Sequence, residues 1–390
     1  VFTVTPKAER SLRAGHPWVY GEEVTAVEGA YQNGDMVDVV SNKGRYLGTG
    51  WVNDHSKIRV RIISRNANDT FDEAFFRRRV CYALNYRKTV MGPVDYRCCR
   101  LIFGEADQFP GLTVDRFENI LVTQVLSLGM ERRKDWVYRA LVELLREDGE
   151  QIDAIYERND VTIRTLEGLE QGKGFYQMEG LRTDLSGHVT ITENRIKYDV
   201  DYMEGQKTGF FLDQKYNRQA AAKLARGRRV LDCFTHTGAF ALNAAAAGAE
   251  HVTAVDVSAF ALELAAENGK RNGLTNLDYK CADVFDLLTE MAKEKKCDYD
   301  YIILDPPAFT KSRATAKNAY HGYKEINRKA MRLLPRGGYL ATCSCSHFMT
   351  DEMFRKMLQE AALDAGVTLR QIEARQQLSL IHISEPTRRS

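Results

Sequence analysis

Short runs of hydrophobic and β-branched residues, separated by turn signals, fill the first 70 residues. Apolar and polar positions alternate in Ile58–Ile63, and Met36–Val40 is similarly rich in valine. Asn33-Gly34 and Lys43-Gly44 are dipeptides that favour tight turns between such runs. Runs of this length and composition predict β-strands. We therefore predict a small β-barrel or sandwich over residues 1–70.

Residues 71–200 combine helical and strand patterns. Apolar residues recur at helical spacing between Thr70 and Val90, which predicts an amphipathic helix. Two strands around a Pro-Gly turn, a third strand, a second helix, a further strand and a hairpin follow. The strand pair is predicted at 100–115, the third strand at 120–127 and the second helix at 131–145. The further strand is predicted at 154–156 and the hairpin at 188–202. This succession indicates an α+β domain of ordinary size.

From residue 201 onward, short apolar strands alternate with helical stretches. The strands are predicted at 229–232, 251–257, 300–305 and 338–343. Strands that alternate with helices form βαβ units, and their strands lie parallel in one sheet. The predicted fold class of residues 201–377 is therefore α/β.

The composition is that of an ordinary soluble protein of more than one domain. The chain has 390 residues, of which 44% are hydrophobic and 28% charged, and its net charge of +2 does not by itself indicate nucleic-acid binding. No apolar run reaches membrane-spanning length and no secretory signal is evident, so we expect a cytoplasmic protein with reduced thiols. None of the eight cysteines forms a C-x-x-C pair, which argues against a zinc site, and we expect no metal.

The first turn of the alternating region, between Asp232 and Gly238, carries a single glycine. A glycine that opens a helix lets a ligand approach backbone N–H groups without intrahelical partners. One glycine is not the G-x-G-x-x-G pattern of dinucleotide sites. Asp232 repels phosphate but suits an ammonium group, so a cofactor with an amino-acid moiety fits better, with Phe234, Thr237 and Gly238 as further candidate contacts. A tight turn with a helix-packing glycine is the alternative.

Two further acids follow the next strands. Asp256 can accept hydrogen bonds from ribose hydroxyls. Asp283 can accept from an adenine amino group while Phe285 packs against the ring. Each acid alone also suits a helix N-cap, Asp283 above all. Acids at three successive junctions favour an adenosyl cofactor that carries an amino acid, and S-adenosylmethionine matches all three.

The last two apolar runs are followed by rigid or reactive residues. Asp305 precedes Pro306 and Pro307, which stiffen the chain and leave carbonyl groups free, and Phe309 can stack on a planar substrate. Cys345 lies just beyond the final run. Open α/β sheets bind ligands at the carboxyl ends of their strands, so these segments predict the floor of an active site. A strand-terminating loop and a buried structural cysteine are the alternatives.

These motifs together resemble a class I methyltransferase. Three more segments resemble the RlmI family, bacterial 23S rRNA (cytosine-5) methyltransferases, and these are His16–Tyr20, Thr208–Lys215 and Gly322–Asn327. The likeness runs from near the start to about Arg375. It implies a PUA-like RNA-binding domain over 1–70, a central α+β domain over 71–200 and a Rossmann-like methyltransferase domain over 201–377. It also implies S-adenosylmethionine as cofactor and 23S rRNA, or a large-subunit assembly intermediate, as partner.

The resemblance gives the thiol a role. The Cys345 thiolate adds to C6 of cytosine, which makes C5 nucleophilic towards the methyl group, and loss of the C5 proton then releases the enzyme. Asp305 orients the flipped base by accepting from its exocyclic amine, with the carbonyls of Pro306 and Pro307 nearby, and it is also expected to contact the cofactor. Cys343 matches no family cysteine and is expected in the core. Many RNA cytosine-5 enzymes carry a second cysteine in the proline-bearing motif; here there is none, so the C5 proton acceptor is unnamed.

The likeness also places Phe211, Asp213 and Gln214 against the cofactor or substrate. Basic clusters become candidate phosphate contacts, although a solvated helix face is the commoner role of such clusters. They are residues 77–79, 132–134 and 226–229. We expect no membrane partner, and a homodimer is left open.

Other functions remain open. The Asp-Pro-Pro-x-aromatic segment also suits methylation of an exocyclic amine, and a guanine ring nitrogen or uridine C5 are related targets. A non-catalytic RNA-binding protein would have no affinity for S-adenosylmethionine. Residues 378–390 do not resemble the family's ending and are predicted to be a non-native tail.

Overall fold

A computed structural model describes residues 1–294, 297–309, 316–346 and 348–376. The predicted tail at 378–390 lies outside these residues. The described chain divides into two compact units, the first formed by residues 1–191 and 200–213 and the second by residues 192–199 and 214–376. The six-stranded and five-stranded sheets of the first two predicted domains belong to the first unit, whereas the hairpin predicted at 188–202 is divided between the units.

The N-terminal part of the first unit is a six-stranded sheet with one α-helix. The strands are β1 (Phe2–Val4), β2 (Trp18–Tyr20), β3 (Val24–Val27), β4 (Met36–Ser41), β5 (Tyr46–Val52) and β6 (Ile58–Ser64), in the spatial order β2-β6-β5-β4-β1-β3. The predicted β character is confirmed. Helix α1 (Pro6–Arg13) was not predicted; Thr5 caps it by accepting a hydrogen bond from the backbone N–H of Ala8, and Pro6 occupies its first turn.

The rest of the first unit is a five-stranded sheet packed against helices. Its strands are β7 (Cys98–Phe103), β8 (Leu112–Phe117), β9 (Ile120–Val125), β10 (Ala154–Asn159) and β11 (Gly172–Phe175), in the order β11-β10-β9-β8-β7, and its helices are α2 (Glu73–Val90), α3 (Pro93–Tyr96), α4 (Leu128–Glu131) and α5 (Lys134–Glu147). The predicted strands and the two predicted helices are observed in the expected order; the edge strand β11 and the four-residue helices α3 and α4 were missed. Apolar faces of α2 and α5 bury the core beneath this sheet.

The predicted hairpin is formed by β12 (His188–Glu193) and β13 (Ile196–Asp201), along which the chain passes between the two units. Asn194 and Arg195 in its turn have positive φ angles of 53° and 67°. This conformation at both central residues is that of a type I′ turn, which suits a two-residue hairpin.

The second unit is built on a five-stranded parallel sheet. Its strands are β14 (Arg229–Cys233), β15 (His251–Asp256), β16 (Leu277–Cys281), β17 (Tyr301–Leu304) and β18 (Tyr339–Thr342), and its helices are α6 (Lys215–Ala222), α7 (Ala239–Ala246), α8 (Ala259–Arg271), α9 (Val284–Glu294), α10 (Ala316–Leu333) and α11 (Asp351–Ala365). Every pairing in the order β16-β15-β14-β17-β18 is parallel. The predicted α/β class is confirmed, but the edge strand β16 was not among the predicted strands.

The strand order of this sheet reverses direction between β14 and β17. In open α/β sheets a crevice forms at such a switch point, outside the carboxyl ends of the strands, and ligands bind there. All four residues of Tyr301–Leu304 are fully buried, as expected for a parallel strand covered on both faces. The fold therefore places the residues that follow β14 and β17 at the position where a ligand is expected.

Candidate active site

Asp232 lies in β14, on one side of the switch point, and is fully buried. Its Oδ2 accepts a 2.5 Å hydrogen bond from the hydroxyl of Thr235, whereas its buried Oδ1 has no hydrogen-bond partner among the described residues. Burial raises the pKa of this carboxyl group to about 7. A buried acceptor without a partner is costly, so the site suits a ligand donor such as an ammonium group.

The turn after Asp232 is held in an unusual backbone conformation. Phe234 and His236 have φ angles of 63° and 52°, which non-glycine residues adopt rarely and mostly at functional sites. Gly238 has a φ of 84°, and a Cβ there would lie 2.5 Å from the Leu242 side chain. The glycine is thus required for packing, which supports the alternative that Gly238 serves a tight turn and helix packing. Thr237 and Phe234 are half-buried.

Asp256 ends β15 and fastens this turn. Its Oδ2 accepts a hydrogen bond from the backbone N–H of His236 at 2.8 Å, and its Oδ1 accepts from that of Ser258 at 3.0 Å. Asp283 lies exposed before α9, where its Oδ1 accepts from the backbone N–H groups of Phe285 and Asp286. Asp283 therefore caps the helix, which is the alternative role considered for it from the sequence. Its exposed carboxylate is also accessible to a ligand.

Asp305 follows β17, on the other side of the switch point, and is half-buried. The side-chain Nε2 of Gln214 lies 3.4 Å from its Oδ1. The structure thus brings two predicted site residues together, with Gln214 as a hydrogen-bond donor to the Asp305 carboxylate. Burial is the main cause of the raised pKa of Asp232, and the negative charge of the nearby Asp305 raises this pKa further.

Cys345 is exposed, and its Sγ lies 3.6 Å from the carbonyl oxygen of Pro306, which accepts from the thiol. Parallel pairing explains this contact, since Leu304 and Thr342 are opposite each other at the ends of β17 and β18. Pro306 is buried and Pro307 exposed. The thiol predicted to be a nucleophile is therefore accessible and lies against the predicted proline motif.

Phe309 is packed within the protein. Its ring centroid lies 4.5 Å from that of Tyr323 and 5.8 Å from that of Phe285. Half-buried Cys343 packs against the apolar core, and desolvation raises its thiol pKa well above the ordinary value. This environment agrees with the core role expected for Cys343.

Phe211 and Asp213 belong to the first unit. The Nζ of Lys207 lies 4.7 Å from the Phe211 ring centroid. Asp213 interacts with the guanidinium of Arg100; burial lowers the pKa of Arg100, but Asp115, with a smaller contribution from Asp213, raises it overall. Their roles towards cofactor or substrate stay predictions.

The basic clusters all contain arginines paired with acids. Pairing neutralises charge that phosphate would otherwise meet, and this supports the solvated-surface role for these particular arginines. The pairs are Arg77 with Glu143 and Glu147, Arg78 with Asp69, Arg132 with Asp35, Arg228 with Asp300, and Arg229 with Glu250.

Sequence reasoning missed the roles of Thr235, Tyr323 and Ser346. A Thr three residues after a strand-end Asp was a usable local signal for the first. Tyr323 stood in a recognised motif but was given no function, because its hydrogen bond to the Ser346 hydroxyl joins residues 23 positions apart. Within the described ranges, no cluster of three or more His, Cys, Asp or Glu side chains could hold a metal ion, and no helix is long and apolar enough to cross a membrane.

Comparison with known families matches two parts of the chain. Residues 2–65 match the PUA-like domain, and residues 176–375 match the S-adenosylmethionine-dependent methyltransferase family. Two solved structures share the fold. One, a protein from Streptococcus mutans described as a SAM-dependent methyltransferase, has a TM-score of 0.78 at 22% identity over 98% of this chain and 94% of its own. The other, a methyltransferase complexed with SAH, has a TM-score of 0.79 at 22% identity over the same shares.

Relatives that match over almost the whole chain include proteins named ribosomal RNA large subunit methyltransferase I. The protein from Pseudoalteromonas atlantica is 40% identical over 97% of this chain and 92% of its own. The protein from Shewanella denitrificans is 42% identical over 96% of this chain and 92% of its own. At this identity and coverage the resemblance seen in the sequence motifs is confirmed: the chain belongs to the ribosomal RNA large subunit methyltransferase I family, with an S-adenosylmethionine-dependent methyltransferase domain.

Proposed function

We propose that this protein transfers a methyl group from S-adenosylmethionine to C5 of a cytosine in 23S rRNA, and that Cys345 forms the covalent adduct at C6. The observation that carries the proposal is the exposed Cys345 thiol 3.6 Å from the Pro306 carbonyl, at the carboxyl edge of the parallel sheet. A nucleophile there is accessible and lies beside the proline motif that is proposed to contact the base.

The residues on the other strands fit the cofactor. The unpaired Oδ1 of Asp232 suits the ammonium group, and Asp256 and Asp283 present carboxylates for the ribose and the adenine amine. Phe234, Thr237 and Gly238 line the turn between the first two acids. When bound, S-adenosylmethionine supplies a methyl group on a positively charged sulfur.

The order of bond changes follows from the thiol. The Sγ of Cys345 bonds to C6, and the electron pair of the C5–C6 double bond moves towards C5. C5 then bonds to the methyl carbon, and the carbon–sulfur bond of the donor breaks. Loss of the C5 proton to a base re-forms the double bond as the C6–Sγ bond breaks, which restores the thiolate.

Asp305 and its neighbours hold the base in this proposal. The Asp305 carboxylate, oriented by Gln214, accepts from the exocyclic amine of a flipped cytosine, and the carbonyls of Pro306 and Pro307 bound the same face. Phe309, Phe211 and Asp213 are proposed as further substrate contacts.

The names of the relatives support large-subunit rRNA as the substrate, either free or in an assembling particle. The proposal takes the protein to be cytoplasmic, with RNA contacts through its PUA-like domain. Light scattering after size-exclusion chromatography tests the homodimer that was left open.

Nucleoside mass spectrometry of rRNA treated with the wild-type protein and with Cys345→Ala tests the function. We expect 5-methylcytidine from the wild type and none from the variant. An N-methylated product that forms equally well in the wild type and in Cys345→Ala would support amine methylation instead. Failure to bind S-adenosylmethionine by calorimetry, together with retained RNA binding, would support a non-catalytic RNA-binding protein.

A further inference from the structure

The three residues around the thiol, Ser344–Ser346, are held by a side chain that the proposed reaction does not use. Tyr323, in α10, is fully buried, and its hydroxyl lies 2.8 Å from the hydroxyl of Ser346, which is itself 5% exposed. Burial raises the pKa of the Tyr323 phenol, and hydrogen bonding to Ser344 and Ser346 partly opposes that rise. The tyrosine therefore engages Ser346, the residue that directly follows Cys345.

The ring of Tyr323 is fixed by its surroundings. It packs 4.5 Å from the Phe309 ring and 6.1 Å from the Phe354 ring. Its backbone carbonyl accepts from the buried side chain of Asn327 at 2.8 Å. The preceding residue, Gly322, leaves room for Phe309, since a Cβ there would lie 3.3 Å from Phe309 Cδ2.

These contacts form a continuous series that begins and ends beside the reactive thiol. Cys345 donates to the Pro306 carbonyl, Pro306 leads along the chain to Phe309, Phe309 packs on Tyr323, and Tyr323 binds Ser346. A phenylalanine at position 323 would give the same ring packing. A buried hydroxyl is costly unless it is bonded, so the hydroxyl itself serves the contact with Ser346.

We propose that Tyr323 is a positioning residue for Cys345, whose hydroxyl acts through Ser346 to hold the thiol beside the Pro306 carbonyl. This inference deepens the proposed function and rests on it for the identity of Cys345 as the nucleophile. Tyr323 is too deeply buried to touch a base, so it acts only through the segment that carries the thiol.

A double-mutant cycle with Tyr323→Phe and Ser346→Ala tests the proposal. Tyr301→Phe is the matched control, because Tyr301 is equally buried in the same unit and its hydroxyl donates to the Ala221 carbonyl at 3.0 Å. Two quantities are measured for each variant. One is the rate of Cys345 alkylation by iodoacetamide without RNA, read by fragment-ion mass spectrometry that separates Cys345 from Cys343. The other is kcat for rRNA methylation, determined together with the KM for S-adenosylmethionine.

We expect Tyr323→Phe to lower kcat by about 10- to 100-fold, because a small displacement of the thiol has effects of that order, and to leave the KM for S-adenosylmethionine unchanged. Alkylation is expected to become severalfold faster, since a thiol released from its carbonyl acceptor ionises more readily. Adding Ser346→Ala should cause little further change in either quantity, as expected for residues that act as one unit.

An alkylation rate and a kcat in Tyr323→Phe equal to those of the wild type would overturn the proposal. So would a double variant whose loss of kcat is the product of the two single losses, or a loss of kcat in Tyr301→Phe as large as that in Tyr323→Phe. Alkylation needs no RNA, so it separates this inference from the proposed function. If 5-methylcytidine formation survives Cys345→Ala, the proposed function fails, and the alkylation cycle still decides whether Tyr323 positions the thiol.

Discussion

The Sγ of Cys345 and the carbonyl oxygen of Pro306 lie 3.6 Å apart although 39 positions separate them in the chain. The parallel pairing of β17 with β18 produces this proximity, because both chains leave the sheet at the same edge. Asp232 lies on β14, which pairs with the other side of β17. One sheet edge thus carries the thiol, the proline motif and the buried acid.

Asp232 makes the interaction with cofactor dependent on pH. Its pKa of about 7 means that it is partly protonated near neutrality, and an ammonium group bound at Oδ1 favours the ionised form. Cofactor binding should therefore release a proton, and affinity should rise from about pH 6 towards pH 8, where an α-amino group begins to lose its charge. Calorimetric titration across this range measures the slope, and Asp232→Asn should flatten it. The same slope in the variant would contradict the assignment.

The same group affects stability with a definite sign. The folded pKa of about 7 lies above the ordinary 3.8, so the folded protein holds the proton more tightly than the unfolded chain. This contribution to stability is fully present below about pH 4 and is lost as pH rises through 7, which amounts to up to about 4 kcal/mol. Urea unfolding should therefore show wild-type protein losing stability relative to Asp232→Asn between those values.

Asp283 is suited to two roles that one substitution can separate. Serine caps helices about as well as aspartate, but its hydroxyl is uncharged and shorter. We expect Asp283→Ser to keep the melting temperature and to weaken S-adenosylmethionine binding by about tenfold, the size of one good hydrogen bond to a charged group. A lower melting temperature with unchanged affinity would leave capping as the role of Asp283.

Thr208, in a family motif, contributes to stability through a buried ion pair in the first unit. Arg100 and Asp115 are opposite each other on β7 and β8, and their bidentate contact has distances of 2.7 and 2.9 Å. The Thr208 hydroxyl donates to the fully buried Asp115 at 2.6 Å. Thr208→Val should cost about 1–3 kcal/mol of unfolding free energy, because it removes a donor to a buried charge, whereas Thr208→Ser should cost less. Equal losses in both variants would argue against this hydrogen bond.

Gly129 allows α4 to approach the N-terminal sheet. A Cβ at this position would lie 1.9 Å from Cγ of Trp51, which is 1% exposed on β5. Gly129→Ala should therefore cost about 3 kcal/mol or more through overpacking. Gly174→Ala is the control, since its Cβ would meet open space, and we expect it to change stability by under about 0.5 kcal/mol. Thermal melts of both variants measure the contrast.

Most strands and helices were predictable because apolar runs and turn signals are local, although β16 of the parallel sheet was not among the predicted strands. The acids and Cys345 could be placed at one edge because parallel strands share their carboxyl ends. Helix α1 was missed although Thr5-Pro6 is a start signal, since a helix of 8 residues hardly interrupts a β-rich pattern. Strand β11 was missed because its glycines carry little strand propensity.

Other features of the site depend on tertiary contacts. The positive φ of His236 accompanies a hydrogen bond from its backbone to Asp256, on the next strand. Gln214 donates to Asp305 from 91 positions away in the chain, and the hydroxyl groups of Tyr323 and Ser346 meet across 23 positions. Periodicity and propensity carry no information on such distant pairs.

Trapping of a covalent complex tests the role of Cys345 most directly. rRNA fragments containing 5-fluorocytosine cannot lose a proton from C5 after methylation, so the C6–Sγ bond persists through denaturation. With S-adenosylmethionine present, we predict a protein–RNA adduct that mass spectrometry assigns to Cys345, that forms normally in Cys343→Ala and that is absent in Cys345→Ala. Formation of 5-methylcytidine without an adduct, or an adduct at another residue, would contradict the account.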